Sequence, residues 1–77
     1  MIVDIKINVV GEIISGPRAN WFIMVQDDTE NTGGYFVLEA TTFDPNKKGE
    51  GYDNWFENLK EVKQYLIYKN LHIKWID

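Results

Sequence analysis

Trp21-Phe22-Ile23-Met24-Val25 and, after a polar interval, Tyr35-Phe36-Val37-Leu38-Glu39-Ala40 are the two stretches that decide the fold. Both are apolar at successive positions and rich in β-branched and aromatic residues, a pattern that predicts strands covered on more than one side. Upstream, Val3, Ile5, Ile7, Val9, Gly11 and Ile13 alternate with a set that includes Asp4, Lys6, Asn8 and Glu12. A period of two predicts a first strand over 3–13 with one wet face. Gly11 leaves a gap in the apolar row, which points to a bulge or to a neighbouring ring packed close. Ser15-Gly16-Pro17-Arg18-Ala19-Asn20 and Asn31-Thr32-Gly33-Gly34 carry turn chemistry, so the three strands read as an antiparallel meander.

Beyond them, residues 44–53 contain Pro45, Asn46, Lys47, Lys48, Gly49 and Gly51, and read as an exposed loop. A helix is expected next, with Asp53 or Asn54 as its N-cap and Asn54 and Glu57 at capping-box spacing. Trp55, Leu59, Val62 and Leu66 then form an apolar stripe with Phe56 and Tyr65 beside it, and the stripe faces the sheet. Asn70 suits a left-handed helix end, and Leu71, Ile73 and Trp75 alternate with His72 and Lys74 in a last strand. The expected class is α+β: an antiparallel sheet in the order β-β-β-α-β, with one helix packed on one face. One helix covers one face only. The second apolar face of the central strands therefore needs another explanation.

The length of 77 residues allows a single domain, 1–77, with one core and no separate regulatory unit. The chain has no cysteine, so neither a disulfide framework nor a thiolate zinc site supports it, and stability comes from aromatic packing or self-association. Trp21, Trp55 and Trp75 are expected in the core. Twelve acidic against eight basic residues give a net charge of −4, which disfavours nucleic acid and anionic membranes and favours a basic protein partner. The segment Met1-Ile2-Val3-Asp4-Ile5-Lys6 has neither a basic leader nor a long apolar core, and no membrane span is expected. Cytoplasm is the expected location.

Catalytic groups are scarce. Ser15, Arg18 and His72 are the only residues of their types. Ser15 falls in a turn and His72 on the polar side of the last strand, so a turn serine and a surface histidine are expected instead of a nucleophile and its base. Carboxylate pairs such as Asp27 with Asp28, or Glu57 with Glu61, sit in polar surroundings that give no reason for a raised pKa. The stretch 28–39 has oxygen-bearing side chains at calcium-loop positions one, three and five, Gly33 at six and Glu39 at twelve. It runs into an apolar β pattern where a calcium loop would enter a helix, so a hairpin loop is the better reading. No enzyme activity, cofactor or metal is expected.

Asp28 to Tyr35, Gly51-Tyr52-Asp53-Asn54-Trp55-Phe56-Glu57-Asn58-Leu59, and Ile73-Lys74-Trp75-Ile76 resemble segments of small bacterial proteins of uncharacterised or immunity type. The resemblance implies a protein that binds and blocks a toxin and has no catalytic site. Two roles follow as expectations. The first is a binding module offering Asp27, Asp28, Glu30, Asp44, Glu50 and Asp53 to a basic partner. The second is a homodimer in which Trp21, Met24, Phe36 and Leu38 bury the uncovered sheet face.

Overall fold

A computed structural model describes residues 5–76. Strands β1 (Val10–Ser15), β2 (Phe22–Asp28), β3 (Gly34–Ala40) and β4 (Gly51–Phe56) are followed by helix α1 (Leu59–Tyr68) and strand β5 (His72–Trp75). They form one five-stranded antiparallel sheet in the spatial order β4-β3-β2-β1-β5. The first four strands meander, and the helix then crosses one face to return the chain to the far edge beside β1. That crossing places α1 over the sheet. The α+β class and the expected elements are present, with one strand more than the sequence indicated.

The extra strand is β4, and it corrects two expectations. Part of the 44–53 loop and the supposed first turn of the helix, residues 51–56, pair with all of 35–40. Tyr52 and Asn54 are exposed and alternate with Gly51, Asp53 and Trp55, so this strand carries little apolar signal of its own. The N-cap is Asn58. Its side-chain oxygen accepts from the Glu61 amide at 3.0 Å, while the Glu61 carboxylate accepts from the Glu57 amide at 3.0 Å. This capping geometry matches the expected pattern, shifted one turn along the chain. At the other end Asn70 has φ of 54°, and the amides of Asn70 and Leu71 bond to the carbonyls of Ile67 and Leu66. Both bonds belong to a Schellman motif, so the left-handed asparagine lies where the sequence placed it.

The register sorts side chains onto two faces. Ile13, Ile23, Val25 and Val37 point to the helix, where Val62, Leu66 and Leu71 complete a buried core. Gly11 belongs to this face, and a Cβ there would stand 2.6 Å from Ile73 Cγ2 and 2.8 Å from Trp75 Cε3. The expected neighbouring ring is Trp75. Strand β1 begins later than the alternation suggested, because Asn8 turns the chain with φ of 60°. Ile5 and Ile7 still pack against the core; Val3 lies outside the described residues.

Candidate functional site

Among the described residues no helix lies over the opposite face of the sheet. Val10, Phe22, Met24, Phe36 and Leu38 alternate with the core residues along β1, β2 and β3, and all five are half-buried. Neighbouring strands set Val10, Met24, Leu38 and Asp53 side by side in one row. A second row holds Gln26, Phe36 and Trp55. The Trp55 ring lies over Gly34, where a Cβ would come within 2.6 Å of it, and its indole N–H donates to Thr32 Oγ1 at 2.8 Å. Trp55 is thus 46% exposed on this face and is not a core residue. A rim of charge surrounds the apolar rows: Asp53 on β4, Asp28 at the end of β2, Glu12 on β1 and Lys74 on β5.

Met24, Phe36 and Leu38, expected to share an uncovered face, do so. Trp21 does not. It precedes β2 in the opposite phase, packs on the core side and stacks on Tyr52 with ring centres 5.9 Å apart. The six acidic candidates are also divided. Asp27, Asp28 and Glu30 lie at the β2–β3 turn, whereas Asp44 and Glu50 lie beyond the other end of β3, a strand length of roughly 20 Å away. Only Asp28 and Asp53 border the bare face.

The β2–β3 connection is a hairpin turn, closed by the amides of Asn31 and Thr32 on the Asp28 carbonyl. Asp27 accepts from the backbone amide of Thr29 at 2.9 Å and from its hydroxyl at 2.7 Å, and these two bonds hold its carboxyl below the usual range. Glu39, the last position of the calcium-type spacing, sits at the far end of β3 and points to the helix side. It cannot share an ion with Asp28.

Glu39 is the functional-looking residue that sequence reading missed. It is 2% exposed, and a carboxylate so deep in a small core costs several kcal/mol unless both oxygens are paired. Here they are. Arg18 Nη1 lies 3.2 Å from Oε1, and the Tyr65 hydroxyl donates to Oε2 at 2.5 Å. The Arg18 guanidinium also lies over Tyr52 and Trp21, at 4.4 and 5.0 Å from the ring centres. Burial, followed by the bond to Glu39, pushes the Tyr65 phenol up from 10.0 to about 12. A cavity of about 210 Å³ adjoins the cluster, lined by Pro17, Arg18, Glu39, Tyr65, Lys69 and Leu71. Both carboxylate oxygens of Glu39 are thus engaged, one by the Arg18 guanidinium and one by the Tyr65 hydroxyl. The apolar context of Glu39 in β3 was the available signal: one acid in a buried strand requires a cation, and Arg18 is the only arginine.

Ser15 and His72 prove to be cross-strand neighbours at the β1–β5 irregularity, which their expected separation did not anticipate. Ser15 is half-buried and His72 exposed, and among the described residues neither hydrogen bonds to the other nor to an orienting carboxylate. The pair lacks the arrangement that activates a nucleophile. Among the described residues no group of three or more His, Cys, Asp and Glu is placed to hold a metal ion. No helix among them is long and apolar enough to cross a membrane. In comparisons with known proteins, no family model, no curated protein and no solved structure matches the chain.

Proposed function

We propose that this protein is a non-catalytic, acidic protein-binding module of the cytoplasm whose contact surface is the helix-free face of the sheet. The observation that carries the reading is the continuous apolar surface formed by Val10, Phe22, Met24, Phe36, Leu38 and Trp55, bordered by Asp28, Asp53 and Glu12. A rigid sheet presents these groups with little ordering entropy to lose on binding, and an apolar centre inside a polar rim is how protein interfaces are organised. The fitting partner has an apolar ridge flanked by Lys or Arg. Its approach is steered by the net charge of −4. Blocking a basic toxin, the role that the resemblance to immunity-type proteins implies, is an activity of this kind.

The test is capture of partners by wild-type protein and by Leu38→Lys, at low and at high salt. A partner retained by wild type, weakened by salt and lost with Leu38→Lys supports the reading. A partner bound equally by both proteins, or no salt-sensitive partner at all, overturns it. The alternative role is a self-associating domain in which Met24, Phe36 and Leu38 of this same face are buried against a second copy of the chain.

A further inference from the structure

The two edges of the sheet are built differently. β5 has four residues, its pairing with β1 is interrupted by a bulge between Ile13 and Ser15, and Lys74 stands on it. Short length, a bulge and a lysine are the devices by which an edge avoids pairing with another strand. β4 has none of these. It pairs with β3 without interruption over all six residues, contains no Lys or Pro, and is exposed from Gly51 to Trp55.

The phase of its backbone follows from one hydrogen bond. The Thr41 amide donates to the Glu50 carbonyl at 2.9 Å, so position 50 bonds inward to β3. Bonding alternates along an antiparallel strand, so Tyr52, Asn54 and Phe56 also bond inward while Gly51, Asp53 and Trp55 turn their N–H and C=O groups outward. Among the described residues nothing pairs with those outward groups.

We propose that β4 is a self-pairing edge: two copies of the chain join antiparallel along residues 52–56, about a two-fold axis at Asn54, into one continuous sheet. Opposed residues must point to the same face, so a two-fold axis can fall only on a residue and not between two. Centred on Asp53, the pairing would set two carboxylates directly against each other, which is destabilising. Centred on Asn54, it opposes two neutral amides, sets Tyr52 against Phe56 of the second copy on the helix side, and sets Asp53 against Trp55 on the bare side. Asp53 and Trp55 are the residues with outward backbone groups, so each such pair exchanges both of its N–H···O bonds. The strand is complementary to itself in this register. A small, edge-only contact makes a weak, concentration-dependent dimer.

Salt separates this dimer from the partner binding proposed above. Two copies at −4 repel, so added salt strengthens self-pairing, whereas it weakens capture of a basic partner. The experiment is sedimentation velocity from micromolar to millimolar concentration, with Asn54→Lys and Asn54→Cys beside wild type. Wild type is expected to pass from monomer to dimer as concentration rises, and sooner at higher salt; Asn54→Lys, which places two ammonium groups face to face, stays monomeric. The chain has no cysteine of its own, and opposed residues in a non-hydrogen-bonded pair have Cα atoms about 4.5 Å apart, within disulfide reach. Asn54→Cys should therefore cross-link on mild oxidation at least about ten-fold faster than the control Glu30→Cys on the hairpin turn, because pairing raises its effective concentration. A wild-type monomer at millimolar concentration overturns the proposal. So does a dimer that survives Asn54→Lys, or Asn54→Cys cross-linking no faster than the control; loss of partner capture with Leu38→Lys would be untouched by any of these.

Discussion

The two faces of this sheet differ in what finishes them. On the helix side Ile13, Ile23, Val25, Val37, Val62 and Leu66 are fully buried, and the one acid among them has a partner on each oxygen. On the other side a similar density of apolar side chains is only half-buried, and its charges stand at the rim. Hydrophobicity alone does not tell these faces apart; what separates them is whether another element of the chain lies over them. Burial is concentrated on the first face, and among the described residues the second is left uncovered.

That contrast is most severely tested by Leu66→Ala, which opens a cavity under the helix and is expected to cost about 2–5 kcal/mol in urea denaturation. Glu39→Ala should follow, at about 2–4 kcal/mol, since it leaves Arg18 and the Tyr65 hydroxyl without their acceptor. Gly11→Ala forces a methyl group against Ile73 and Trp75 and should lower stability by about 1–3 kcal/mol, read as a drop in melting temperature. Tyr65 supplies a pH signature of the closed face. Its phenol holds the proton more tightly folded than unfolded, so its stabilising contribution is whole below pH 10.0 and is lost as pH rises through about 12. Urea midpoints measured across that window should fall for wild type and fall less for Tyr65→Phe. The smallest stability change, under about 1 kcal/mol, is expected for Leu38→Lys on the bare face, although it should abolish partner capture. A larger loss of stability there would show that the two faces are not divided in this way.

The pattern of period two and the paired apolar runs made β1, β2, β3 and β5 legible, along with the glycine under a ring and the left-handed Asn70. β4 was hidden for a physical reason. Its residues Gly51-Tyr52-Asp53-Asn54-Trp55-Phe56 are held by backbone bonds to β3 and contribute little burial, so no local periodicity records them. Asn54 with Glu57 and Asn58 with Glu61 have the same spacing, and only the demand of β3 for a partner strand selects the second pair as the cap. Of the candidate contact residues, Met24, Phe36 and Leu38 were legible by parity, and Trp21 could have been set apart from them by the same rule.

By itself the sequence determined an α+β domain with an antiparallel sheet, one amphipathic helix and more apolar strand surface than that helix covers. Those properties follow from side-chain alternation and turn chemistry, which are local. The tertiary structure decided that residues 51–56 form an edge strand, that Glu39 is closed off by Arg18 and Tyr65, and that the acidic residues lie at opposite ends of the sheet. Each of these depends on pairing between distant segments, where backbone hydrogen bonds and buried charge take their partners by register and not by sequence neighbourhood.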